Sequence, residues 1–403
     1  MRHLFSAFIA SAVMLGCGAA QAQISDGVIK IGVLNDMSSL YSDIAGKRSV
    51  TAAQMAADDV GDIPGARVEI VFADHQNKPD VGASITRQWL DVEHVDAVVD
   101  VPTSSVALAV QEITRAKKRI FLISGAATSD LTGKACSPYG FHWTYDTYAL
   151  AHGTGSAIAK QGGDSWFFIT ADYAFGHALE RDTADAVKAA GGRVLGAVRA
   201  PLNTQDFSSF LLQAQASKAK VVGLANAGGD TINSIKQAAE FGLVSGGQRL
   251  AGLLVFLTDI HSLGLKTTQG LTITSAWYWD KDDASRTFAK RFMEKERGAP
   301  PTYTVAGVYS AVSHYLKAIK AIGTDDPDKV SEQMRKAKIN DFMTHDGWIR
   351  EDGRIMRDMY LERVKSPEES RYPFDYFEVL ATIPATEAYR PLKDGGCPYV
   401  KGG

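Results

Sequence analysis

From residue 28 onward the chain alternates short apolar runs with longer stretches that are apolar on one face only. Residues 28–34 (Val-Ile-Lys-Ile-Gly-Val-Leu), 68–72, 97–101 and 119–123 have the length and β-branched content of buried strands. Between them, residues 45–60, 81–91 and 105–116 space their apolar positions as helices do. Strands this apolar are buried on both sides, and helices are what cover them, so the pattern predicts a parallel sheet with helices on each face. The alternation pauses over 128–148 and then restarts. It gives a helix at 149–160, strands at 166–169, 193–195 and 221–225, and helices at 178–190, 207–216 and 231–241. The run Leu253-Leu254-Val255-Phe256-Leu257 reads as one more strand, as do residues 271–279. Helices are expected at 284–297, at 305–322 and from Asp326-Pro327 to 337. The expectation is an α/β protein of two lobes, each a doubly wound, mainly parallel sheet.

The start of the chain concerns export, not fold. Met1-Arg2-His3 is cationic, residues 4–16 are apolar but too few to span a bilayer, and Ala20-Gln21-Ala22 is a small-x-small cleavage site. Residues 1–22 are therefore expected to be a secretory signal peptide, and the mature chain a periplasmic protein. Leu15-Gly16-Cys17 is a weak lipobox that would instead lipidate Cys17; the later Ala-x-Ala site competes with it. Cys136 and Cys397 would remain in an oxidising compartment, where an even pair favours a disulfide over two free thiols.

Net charge is −3 with no basic block, which argues against nucleic-acid binding. Catalytic signatures are missing: no Gly-x-Ser-x-Gly, no His-Glu-x-x-His, no Gly-rich loop ending in Gly-Lys-Ser/Thr. His75, His94, His177 and His261 have no metal-ligand spacing, and Gly153-Thr154-Gly155 follows a helical stretch and lacks the third glycine of a dinucleotide fingerprint. No enzyme activity, cofactor or metal is expected.

Ligands of open parallel sheets bind beyond the C-terminal strand ends. There the chain places Asn35-Asp36-Met37-Ser38-Ser39, Pro102-Thr103-Ser104-Ser105, Ser124-Gly125-Ala126-Ala127-Thr128-Ser129, Asp172-Tyr173 and Asn226-Ala227-Gly228-Gly229. Hydroxyls and free backbone N–H groups at helix starts suit a carboxylate, although each of these residues taken alone also suits an ordinary helix cap.

The run Ile29-Lys30-Ile31-Gly32-Val33-Leu34-Asn35-Asp36-Met37-Ser38, the loop Ala126-Ala127-Thr128, the segment Gln237-Ala238-Ala239-Glu240-Phe241-Gly242-Leu243 and the pair Asp346-Gly347…Asp352-Gly353 together resemble the branched-chain amino-acid (Leu/Ile/Val) type of periplasmic solute-binding protein. The resemblance implies a type I two-lobed fold with crossovers near Tyr145, Ala276 and Ile355. One lobe would hold residues 23–145 with 277–354 and the other 146–276 with 355–375, leaving 376–403 as an irregular tail. It also implies a monomer that closes on a small solute and delivers it to the permease and ATPase subunits of an ABC importer in the inner membrane. A sensory module for a separate receptor, or a secreted enzyme, are the competing readings.

Carried over position by position, the resemblance makes Thr103, Ser104, Ala126, Ala127 and Thr128 the loops for the ligand's carboxylate and amino group. Tyr173, or Phe175, is the aromatic of the second lobe. Asn226 falls where the family has a tyrosine. The family's acid for the ligand's ammonium falls at residues 254–256, which end in Phe256, leaving Asp259 as the nearest acid. An ammonium without a partner in a closed cleft is costly. Together with Tyr41, Tyr145 and the aromatics Trp143, Tyr148, Trp277, Tyr278 and Trp279 near the crossovers, this favours an organic acid, an aromatic one included, over an amino acid.

Overall fold

The structure is a computed structural model that describes residues 24–401. The expected signal peptide and Cys17 lie outside the described residues.

The first lobe is built on β1 (Val28–Asn35), β2 (Arg67–Asp74), β3 (Ala97–Asp100), β4 (Ile120–Ile123) and β5 (Gly140–His142), all parallel in the order β2-β1-β3-β4-β5. Helices α1 (Arg48–Val60), α2 (Pro79–Asp91) and α3 (Ser104–Ala116) connect them. Every residue of β3 and β4 is buried, as central strands covered on both faces require.

The chain crosses over through α4 (Thr147–Leu150), a π-helical turn (Ala151–Gly155) and α5 (Ser156–Lys160). The second lobe then repeats the design with β6 (Ser165–Ala171), β7 (Arg193–Ala200), β8 (Val221–Ala225) and β9 (Arg249–Gly252), parallel in the order β7-β6-β8-β9. Its helices are α6 (Ala174–Ala189), α7 (Ser208–Ala216), α8 (Gly229–Glu240), α9 (Leu257–Leu263) and α10 (Leu265–Thr268).

The remaining elements are β10 (Thr272–Ser275), α11 (Asp283–Lys295), α12 (Tyr303–Ile322), α13 (Pro327–Lys336), the hairpin β11 (Trp348–Ile349) and β12 (Ile355–Met356), β13 (Met359–Val364), β14 (Phe377–Ile383) and α14 (Ala385–Ala388). Helices α11 and α12 return to the first lobe. Arg291 and Tyr309 both reach Asp59 of α1, and the Thr302 hydroxyl donates to the Ile44 carbonyl at 2.6 Å.

Three expectations need correction. Residues 253–257 are not a strand. Strand β9 ends at Gly252, and the Asp259 carboxylate accepts the Phe256 N–H at 2.8 Å, so a helix starts at Leu257 instead. The expected strand at 271–279 stops at Ser275. Beyond it, the Tyr278 hydroxyl and the Trp279 indole N–H converge on one carbonyl, that of Phe374, so these side chains do not alternate across a sheet. Finally, 376–403 is not irregular throughout, because β14 pairs antiparallel with β13 in the sheet β10-β13-β14.

Cys136 and Cys397 form a disulfide that ties the C-terminal segment to the loop before β5. The three expected crossovers lie side by side. Buried Arg354 donates to the Tyr145 carbonyl at 3.0 Å, and buried Arg357 donates to the Ala276 carbonyl at 2.9 Å.

Candidate functional site

A cavity sits where the C-terminal strand ends of the two lobes face each other. The first lobe contributes Tyr41, Ile44, Pro102, Gly125, Ala127 and Tyr145; the second contributes Tyr173, Phe175, Ala227, Leu254 and Phe256.

Each wall has a local cause. Tyr41 is placed by an Asx turn at the end of β1: the Asp36 carboxylate accepts the N–H groups of Ser39 and Tyr41, each at 2.9 Å. Pro102 follows two non-glycine residues in the left-handed region, Asp100 (φ 83°) and Val101 (φ 55°). A β-branched residue there is strained, and the neighbours hold it. The Asp100 carboxylate accepts from the Asn35 amide and from the Ser124 hydroxyl. Gly125 packs so closely on this turn that a Cβ would lie 2.6 Å from Pro102 Cα. The Tyr145 hydroxyl donates to the Gly125 carbonyl at 2.6 Å, fixing the ring. Phe256 stacks on Tyr303 at 4.7 Å and meets Tyr145 edge-on at 6.4 Å. Tyr173 packs beside Phe175 at 5.9 Å. The hydroxyls of Tyr41 and Tyr173 touch at 2.5 Å, joining the lobes at the cavity.

The electrostatics of the site are those of backbone and phenol. No charged side chain lines the cavity. Thr103, Tyr173 and Gly228 are the N-cap residues of helices α3, α6 and α8, and none of these starts has a side-chain cap. Three sets of free N–H groups, with the positive ends of three helix dipoles, therefore lie at or next to lining residues. Burial holds the Tyr41, Tyr145 and Tyr173 hydroxyls protonated far above the ordinary phenol range. Burial also pushes Asp100 and Asp230 up to about 6 and Asp259 up to about 7.

Residues 28–369 match the periplasmic binding protein family. The chain belongs to that family. A periplasmic binding protein of Burkholderia mallei is 50% identical and superposes with a TM-score of 0.91, covering 93% of this chain and 100% of its own. A branched chain amino acid ABC transporter periplasmic ligand-binding protein of Burkholderia xenovorans LB400 is 42% identical, with a TM-score of 0.82 over 92% and 99% of the two chains. Leu/Ile/Val-binding protein homolog 6 of Brucella melitensis biotype 1 is 25% identical over 370 residues, which is 88% of this chain and 92% of that relative. This periplasmic binding protein is thus a solute-binding component of the ABC-transporter type.

Of the residues selected from sequence, Tyr41, Ala127, Tyr145, Tyr173, its alternative Phe175, and Phe256 come together around the cavity of the binding protein. The others serve its frame. The Thr103 hydroxyl bonds the Asn77 side chain. The Ser104 hydroxyl accepts the N–H groups of Ala127 and Thr128 at 3.3 and 3.2 Å. Thr128 caps the following 3₁₀ turn, and the Ala126 carbonyl bonds His142 at 2.8 Å. Asn226 is taken up by Thr231 and Ser234, and Asp259 by the Phe256 N–H. Of the crossover aromatics, Trp277, Tyr278 and Trp279 line a separate internal cavity, while Trp143 packs on His314. Pro102, Gly125, Ala227 and Leu254 lie in or next to the strand-end loops picked out from sequence without being singled out there. Ile44 had no signal at all.

Proposed function

We propose that this binding protein captures a small organic acid with an aromatic or otherwise flat apolar body in the periplasm and delivers it to its permease and ATPase partners. One observation carries the reading: five of the eleven lining residues are aromatic and none is charged, while three helix starts without side-chain caps lie at or next to lining residues. Free N–H groups and phenol hydroxyls accept a carboxylate, ring edges and faces accept a flat body, and no acid in the lining neutralises an ammonium. Capture follows from the two lobes. The solute docks on the first-lobe loops, and Tyr173, Phe175 and Phe256 then close over it. Only the extra contacts made in the closed form favour closure.

A specific observation favours an amino-acid ligand as the second reading. Asp230 lies close enough to Tyr41 and Tyr173 to influence both, and its Oδ1 is buried with no hydrogen-bond partner.

A thermal-shift panel of benzoate- and cinnamate-type acids, short aliphatic acids, and branched-chain and polar amino acids separates the two. A ligand at a hundred times its dissociation constant adds roughly 2.7 kcal/mol of stability. Shifts from the aromatic acids support the proposal. Shifts confined to amino acids, and abolished by Asp230→Asn, replace it with the second reading.

A further inference from the structure

Behind the ligand cavity, on the far side of the Phe256–Tyr303 stack, lies a second internal cavity at the crossovers. Its wall is divided between the lobes: Val255 and Leu257 belong to the second, Pro301, Thr302 and Tyr303 to the first, and Ser275 and Trp277 to the connecting segment. Glu362 of β13 also lines it, with no solvent exposure. Its Oε1 accepts the Ser275 hydroxyl at 2.8 Å, and its Oε2 is buried with no partner.

An ionised carboxylate in such a place would be expensive, because no cation lines the cavity. The titratable groups that face it are Tyr278 on the crossover and Tyr303 on α12. Burial holds both phenols protonated, and Asp259 approaches Tyr303 from the other side. Burial pushes Glu362 itself up to about 8. The seam between Leu257 and Pro301 adjoins a groove lined by Leu257, Ala299 and Pro300 together with the titratable Asp43, Arg48 and His261, so parting the lobes there brings water towards the carboxyl.

We infer that Glu362 is a proton-linked element of the hinge: it is held neutral when the lobes are closed and ionises when they part, so that closing takes up one proton. The sign follows from linkage. Between the ordinary glutamate value near about 4.3 and about 8, the closed form holds one proton more than the open form. Closure is therefore favoured towards acid and weakens as pH rises through that window, by at most about tenfold per pH unit. Above it both forms are ionised and the dependence stops.

The test needs no ligand. The radius of gyration of the ligand-free protein is followed by small-angle X-ray scattering from about pH 6 to 9.5, for wild type and Glu362→Gln, which mimics the neutral carboxyl. The wild type is expected to expand with rising pH, while Glu362→Gln stays compact throughout. A wild-type radius that does not change, or a variant that expands along the same curve, overturns the inference. Should Glu362→Gln fail to fold by circular dichroism, Glu362→Leu decides: it leaves no proton to lose, so the protein must stay compact up to pH 9.5, and expansion along the wild-type curve is contrary to the inference.

Discussion

The hydroxyl oxygens of Tyr41 and Tyr173 lie 2.5 Å apart, one held by an Asx turn after β1 and the other at the start of α6, so a phenol pair links the two lobes at the cavity. The Tyr41 ring is buried and the Tyr173 ring partly so, and both phenols stay protonated at any physiological pH. Each ring also lines the cavity. The pair therefore joins cavity walls contributed by both lobes.

Removing one hydroxyl leaves the ring walls and deletes that link. Tyr173→Phe should weaken ligand binding by about 0.5–1.5 kcal/mol, the net worth of a neutral hydrogen bond, which is roughly twofold to twelvefold in affinity. Tyr41→Phe should cost the same, and the double variant little more than either. Calorimetric titration of the four proteins checks this; fully additive losses would mean that the two hydroxyls act separately.

Closure also depends on a residue without a side chain. Gly228 begins α8 at φ 58°, and a Cβ there would lie 2.9 Å from the Leu40 carbonyl oxygen and 3.1 Å from the Tyr41 ring. Gly228→Ala should therefore weaken affinity by tenfold or more, on the order of 1.4 kcal/mol, by holding the lobes apart. Comparison of scattering curves with and without ligand is the check: the variant should fail to contract where the wild type contracts.

Burial raises Asp100 and Asp230 to about 6, Asp259 to about 7 and Glu362 to about 8. A raised carboxyl binds its proton more tightly folded than unfolded, so its contribution is present towards acid and is lost as pH rises through the folded value. These groups should lower the thermal midpoint between about pH 5 and 8. Asp259→Asn should flatten the part of that fall that ends near 7. An identical slope in the variant would remove Asp259 from the account.

Much of the frame is legible in sequence because buried parallel strands must be apolar on both faces: β3, β4 and β8 are short apolar runs, and each is fully buried. The failures come where a tertiary contact outweighs local pattern. Leu253-Leu254-Val255-Phe256-Leu257 has a strand's composition, yet Asp259 caps Phe256 and turns the chain into α9. Strand β14 sits at a sheet edge with most of its side chains exposed, so it carries no apolar alternation to read. Around the cavity, Tyr41, Tyr145, Tyr173 and Phe256 stand out in sequence as large rings close to strand ends or crossovers. The short polar residues Thr103, Ser104, Thr128 and Asn226 were not separable from ligand contacts, since buried loops recruit such side chains to satisfy their own backbone. Leu254 and Ala227, apolar and small, carry no chemical signature.

The disulfide closes a loop with a sequence separation of 261. Cys397→Ser should cost roughly 2–5 kcal/mol, read as a lower denaturant midpoint under oxidising conditions. Reduced wild type should unfold at the same midpoint as the variant. A variant as stable as the oxidised protein would show that the tail is held by packing alone.

The most direct test of the central claim is a calorimetric titration of the ligand-free protein with benzoate and with L-leucine at one pH. The uncharged aromatic lining and the three uncapped helix starts predict that benzoate binds more tightly, with an affinity little changed by Asp230→Asn. Tighter binding of leucine, lost in Asp230→Asn, would contradict that account and make Asp230 the ammonium partner.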